Sequence, residues 1–210
     1  MSQSISQCKE CGQARASRGS VLALSALLSC ALMLGCAESR NVPASVSGHL
    51  PDLQFNLQRS DREAVDAAAY RGKVVLLYFG FTRCMDVCPT TMLRLTQAVA
   101  AMPSHSSDVT TLFVSVDPSH DSQIILQNYL VPFDQAHPVG LRGSAAQLET
   151  LAKRYRLAYR AAESAGDSAP VHGNAVLVFD RAGRARYLIA PDDTPSAIAA
   201  MLDRLADAGA

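Results

Sequence analysis

Tryptophan is missing from this 210-residue chain, and so are a net charge and any internal repeat. Lys plus Arg and Asp plus Glu stand at 19 each, so there is no electrostatic case for a nucleic-acid partner. No apolar stretch reaches the ~20 residues that a membrane-spanning helix needs. The N-terminal one, residues 21–34, has the length of a signal-peptide core. Cysteine is scarce beyond the first segment: Cys8, Cys11, Cys30 and Cys36 fall early, and only Cys84 and Cys88 follow. A closed structural zinc site asks for four ligands, so two late thiols fit it poorly.

The remainder has the composition of an ordinary globular protein, with length for one domain or one plus an appendage. Residues 1–18 carry Lys9, Arg15 and Arg18 against one acid, Glu10, and the apolar core follows. It ends Leu32-Met33-Leu34-Gly35-Cys36, which resembles a bacterial lipobox in which Cys36 becomes the lipidated first residue. Residues 1–36 are therefore expected to be a signal peptide with its lipobox cysteine, and residues 37–50, polar and aperiodic, a tether. Residues 51–210 are expected to be one exported domain on the periplasmic face, membrane-anchored because two acyl chains give stable attachment. Cys8-x-x-Cys11 precedes the apolar core and would be lost on processing.

The domain is organised around residues 74–92, VVLLYFGFTRCMDVCPTTM. The run from Val74 to Phe79 is short, β-branched and aromatic, the pattern of a strand buried on both faces. Pro89 suits the first turn of a helix, and Met92, Leu95 and Val99 recur at helical spacing behind it. Cys84 and Cys88 thus sit on the turn from strand to helix. There open α/β sheets place their chemistry, and a helix dipole favours thiolate.

Before this, Leu53, Phe55 and Leu57 alternate as a half-buried strand, and 61–71 reads as turn and helix. After it come a strand at 110–116 ending in Asp117-Pro118, a short helix at 124–130 and a brief strand or link at 139–141. Ser144-x-x-Gln147 is a capping box opening a helix faced by Leu148, Leu151, Ala152 and Tyr155. Residues 161–171 read as a loop. A β-hairpin follows at 175–180 and 185–189, then a helix with Thr194 as N-cap and Pro195 first. Strand–helix–strand, helix, hairpin, helix is the thioredoxin-like order: an α/β fold, a central mixed sheet flanked by helices.

Two thiols four residues apart share a face and can hold one soft metal ion or close a disulfide. Copper(I) accepts two thiolates plus an imidazole, since soft sulfur selects it. Of five histidines, His49, His105, His120 and His137 read as solvated loop residues. His172 stands apart: it closes a loop just before the strand at 175–180, which in a thioredoxin-like fold starts facing the cysteine turn. Met85, Met92 and Met102 suggest a copper-binding set, but their apolar neighbours favour packing. Asp86 complements a helix N-terminus, Asp117 caps a strand, and Arg83 reads as exposed.

With these residues in view the sequence resembles the Sco/SenC family of thioredoxin-like copper proteins. The matching pieces are Arg71-Gly72-Lys73 with residues 74–80, Cys84-x-x-x-Cys88-Pro89, Ser115-Val116-Asp117-Pro118 with Asp121, Gly140-Leu141-Arg142-Gly143, and His172 before a strand ending Asp180-x-x-Gly183. Met85 stands where the family often has proline, and Val171 where an acid usually precedes the histidine. The resemblance implies copper, Cu(I) or Cu(II), held by Cys84, Cys88 and His172. It implies a metallochaperone rather than an enzyme, delivering copper to the binuclear copper site of cytochrome c oxidase or reducing its cysteines. The copper-site subunit of that oxidase would be its partner, alongside other copper chaperones or thiol reductases. A thiol–disulfide oxidoreductase with Cys84 and Cys88 as its redox pair is the competing reading. A peroxiredoxin-like peroxidase, hinted at by Thr82 and Arg83, is the third.

Overall fold

The computed structural model describes residues 42–61, 63–160 and 171–208; of residues 160, 171 and 172 only the backbone is described. The expected signal peptide, and Cys36 with it, lies outside the described residues. In chain order the elements are β1 (Ala44–Ser45), β2 (Asn56–Arg59), β3 (Ala64–Asp66), a 3-10 turn (Ala67–Tyr70), β4 (Val74–Gly80) and α1 (Val87–Ala100). Then come β5 (Val109–Ser115), α2 (Gln123–Leu130) running into a 3-10 segment (Val131–Ala136), β6 (Pro138–Arg142) and α3 (Ala145–Arg154). The chain closes with β7 (Tyr159–Arg160), β8 (Val171–His172), β9 (Val176–Phe179), β10 (Ala185–Ile189) and α4 (Pro195–Asp207).

Among the described residues one eight-stranded sheet runs β1-β10-β9-β4-β5-β6-β2-β3, and β7 pairs with β8 apart from it. β4, β5 and β6 are parallel; β9 runs antiparallel to β4, and β2 antiparallel to β6. This is the mixed, helix-flanked sheet of a thioredoxin-like α/β fold, as expected. All seven residues of β4 are buried, as are all seven of β5. The reason is a two-sided cover, and alternation divides the side chains between its halves. Val74, Leu76 and Tyr78 pack with Met92, Leu95 and Val99 of α1 and Ile198, Met201 and Leu202 of α4. Val75, Leu77 and Phe79 pack on the other side with Leu148, Leu151 and Tyr155 and with Leu53, Phe55 and Leu57.

Local chemistry fixes the ends. Ser144 Oγ accepts from Gln147 N–H at 3.3 Å while Gln147 Oε1 accepts from Ser144 N–H at 2.8 Å, a complete capping box opening α3. Thr194 Oγ1 accepts from Ala197 N–H at 3.2 Å and Pro195 fills the first position of α4. The β9–β10 turn closes on Asp180, whose Oδ1 accepts from Ala182 and Arg184 N–H at 3.0 Å each, with Gly183 at φ +76°.

Several elements differ from the sequence reading: β7 and β8 pair where no strands were expected, Val171 falling inside the expected loop whose residues 161–170 lie outside the described residues. Residues 61–71 hold a strand, β3, and then a 3-10 turn started by Asp66, which accepts from Ala68 N–H at 2.9 Å. Leu53 and Phe55 are buried as expected, but the ladder begins only at Asn56, where β3 and β6 supply partners. Ala44–Ser45, inside the expected tether, pairs with Leu188 and Tyr187 at the sheet edge. No helix among the described residues is long and apolar enough to cross a membrane.

Candidate metal centre

β4 delivers the chain to a turn, residues 81–86, that is anchored from outside itself. Asp121, fully buried, accepts from the Thr82 hydroxyl at 2.6 Å, the Thr82 N–H at 3.2 Å and the Ser115 hydroxyl at 2.6 Å. It ties the turn to the end of β5. Asp117, equally buried, binds the next residue: Arg83 donates to its Oδ2 at 2.7 Å through Nη2 and at 3.2 Å through Nε. Its Oδ1 takes the Ser119 hydroxyl and His120 Nδ1, both at 2.8 Å. Burial pushes the Asp117 carboxyl up, but the hydrogen bonds from His120, Arg83 and Ser119 outweigh it and hold the group below the usual carboxylate range.

On this support stand the two sulfurs. Cys84 is half-buried and Cys88 wholly buried, and neither is in a disulfide. α1 starts at Val87, two residues before Pro89, so Cys88 lies in its first turn and its N–H donates to Cys84 Sγ at 3.3 Å. That contact sets the outer sulfur at the positive end of α1. Burial, then the hydrogen bond to Cys84, push the Cys88 thiol up to about 12, against opposing contacts from the Tyr78 hydroxyl and the Phe81 backbone. Cys88 therefore keeps its proton at neutral pH until a soft cation or an electrophile replaces it. A reachable sulfur over a sheltered one is a donor set suited to a soft, low-coordinate ion.

His172 lies in β8, paired through its backbone with Tyr159; its side chain lies outside the described residues. Because β9 is antiparallel to β4 with Leu77 opposite Leu177, the start of β9 lies at the end of the sheet where β4 leaves for Cys84. Among the described residues no three His, Cys, Asp or Glu side chains are grouped to hold a metal ion.

His49 Nδ1 contacts Ser47 O at 3.0 Å, and His105 pairs with Asp207 at 2.9 Å. His137 ends the 3-10 segment in left-handed backbone. His120, expected to be merely solvated, is a partner of buried Asp117 and of Arg83, whose Nη2 lies 3.1 Å from its Nδ1. Arg83 is exposed, as expected, yet its guanidinium is paired with Asp117. Met92 and Met102 pack in the core, whereas Met85 is 88 % exposed. Asp86 occupies the N-cap of α1 without a side-chain capping bond. Sequence reasoning missed the anchoring by Thr82, Ser115 and Asp121; the signal available was a strand ending Ser115-x-Asp117-x-x-x-Asp121, two acids aimed back over its own end.

Comparison with known proteins matches residues 47–207 to the family model described as SCO1/SenC. A SCO2-like protein of Rickettsia felis is 33% identical over 107 residues, 50% of this chain and 51% of that protein, so the match spans about half the relative's length. The structure of Bradyrhizobium japonicum ScoI with copper bound superposes with a TM-score of 0.65 at 32% identity, over 73% of this chain and 98% of that one. BsSco, described as having a disulfide switch and as a member of the Sco family of cytochrome c oxidase assembly proteins, shares the fold at 22% identity and a TM-score of 0.62, covering 78% of this chain and 95% of its own.

Proposed function

This chain belongs to the SCO1/SenC family, and from that premise we propose that it is an exported, membrane-tethered copper metallochaperone. It delivers copper to the binuclear copper site of cytochrome c oxidase or reduces the cysteines there. The observation that carries this reading is the Cys88 N–H···Cys84 Sγ contact of 3.3 Å, with one sulfur half-buried and the other sheltered beneath it. Two soft donors in that arrangement select copper, and imidazole is the natural third ligand. His172 supplies it in this reading: its backbone enters β9 from the end of the sheet that carries the thiols. The copper-bound Bradyrhizobium structure, and the description of the Sco family as oxidase assembly proteins, support the same assignment.

Copper is cargo here, taken up and handed on, so the domain is a carrier and not an enzyme. Residues 1–36 are the signal peptide, residues 37–50 the tether and Cys36 the acylated residue, which holds the domain on the periplasmic face of a membrane. The partner is the copper-site subunit of the oxidase, with other copper chaperones or thiol reductases upstream.

The test is metal analysis of the anaerobically reduced protein. Wild type binds stoichiometric copper; Cys84→Ser and His172→Ala abolish it, and unchanged binding in either variant overturns the ligand set. The pair of cysteines, neither in a disulfide, also favours a second reading, thiol–disulfide exchange on exported proteins. Turnover that survives His172→Ala in the absence of copper identifies that activity.

A further inference from the structure

Met85 lies between the two cysteines and is 88 % exposed, the most exposed of the large apolar side chains among the described residues. The chain's other described methionines show the contrast. Met92, Met102 and Met201 are all buried in one core cluster, where a thioether is only a gap-filler. Packing does not explain Met85. Its backbone position adds to the anomaly, because the turn that leads to it is anchored by buried carboxylates. Thr82 and Arg83 are pinned to Asp121 and Asp117 on one side, and α1 begins at Val87 on the other. The thioether is thus exposed to solvent one residue along the chain from Cys84.

The accessibility of the thiols supplies the second observation. Cys88 is wholly buried and lies behind Cys84, whose sulfur it contacts through its N–H. An arriving ion therefore meets the Cys84 side of the pair first. Arg83 and His120 are engaged by Asp117, and Asp86, exposed next to Met85 without a capping bond, offers only a hard carboxylate oxygen that suits copper(I) poorly.

We propose that Met85 is the capture ligand for copper(I): its thioether sulfur takes the ion from an incoming donor and passes it to Cys84 Sγ, and the same contact serves release in reverse. This inference rests on the copper reading above and deepens it. The step is a ligand exchange with no change of oxidation state. A lone pair on Met85 Sδ replaces one donor ligand on Cu(I), and the Cys84 sulfur, binding as thiolate with its thiol proton released to water, then replaces the thioether. A thioether is soft, neutral and needs no deprotonation, so it binds Cu(I) at any pH and is a poor ligand for Cu(II).

The experiment follows Cu(I) leaving its coloured bicinchoninate complex for the reduced protein by stopped-flow absorption, and Cu(II) loading in parallel. The proteins are wild type, Met85→Ala and the near-isosteric Met85→Leu. Both variants are expected to take up Cu(I) about tenfold more slowly, to reach the same final stoichiometry, and to load Cu(II) at the wild-type rate. Wild-type Cu(I) rates in both variants overturn the proposal. So does a wild-type rate in Met85→Leu alone, which would assign the residue to apolar docking, and so does an equal slowing with Cu(II). If the wild-type protein itself takes up no copper, the metallochaperone reading fails and the proposal falls with it. Copper uptake that is intact and indifferent to residue 85 removes this inference alone.

Discussion

Asp121 carries no formal partner charge, yet it decides where Cys84 sits. Its two oxygens collect the Thr82 N–H and hydroxyl and the Ser115 hydroxyl, joining the ends of two strands through one buried carboxylate. Replacing it by alanine leaves three donors unmet, one of them, the Ser115 hydroxyl, wholly buried and costly to strand. Asp121→Ala is expected to lower stability by about 2–3 kcal/mol in urea unfolding, with copper uptake weakened in step; Asp121→Asn, which keeps one acceptor, is expected to lie between. An alanine variant with wild-type stability and wild-type uptake would remove Asp121 from the site's support. Asp117 acts one residue further on, occupying the Arg83 and His120 side chains.

Among the elements, β4 and α1 meet where the chain has no room for a side chain. A Cβ on Gly80 would lie 2.7 Å from the Phe113 ring and 3.2 Å from Cys88 Sγ. The last residue of β4 is thus small because the first turn of α1 and the face of β5 press on it from two sides. Gly80→Ala is expected to cost about 1–3 kcal/mol and to push Cys88 off its contact with Cys84. The measurements are the thermal midpoint and the copper affinity. Loss of stability with intact affinity would show that Phe113 alone gives way.

For the whole molecule, the described carboxylates that are held low set the acid limit. Burial pushes Asp180 up, but the Arg184 N–H and the guanidinium groups of Arg186 and Arg184 outweigh it, so the folded value lies below the ordinary one; Asp117 behaves alike. A depressed folded pKa means the native state binds fewer protons than the unfolded chain. The stabilisation is therefore fully present above about pH 4 and is lost as pH falls through the folded values. Asp180→Asn is expected to cost about 1–2 kcal/mol at neutral pH and to flatten the acid limb of a stability–pH profile. An unchanged limb would place the acid sensitivity elsewhere. The two groups sit at opposite ends of the sheet, Asp180 below the β9–β10 turn and Asp117 past β5, so their effects should add.

Sequence alone determined the strand–turn–helix that carries Cys84 and Cys88, the caps at Ser144 and Thr194, and the hairpin around Gly183. Each depends on neighbours within a few positions: a continuous apolar run, a hydroxyl three residues before its amide, a glycine in left-handed backbone. Family membership was legible for the same reason, since its pieces are short and local. Tertiary structure alone decided the pairing of Ala44–Ser45 with β10, the late start of β2, the anchoring of Thr82 by Asp121, the capture of His120 by Asp117, and the contrast between buried Met92 and exposed Met85. All of these join residues distant in the chain or depend on which face a helix turns inward. Local pattern carries no record of such choices, because they are made only when separate elements compete for the same core and the same buried hydrogen bonds.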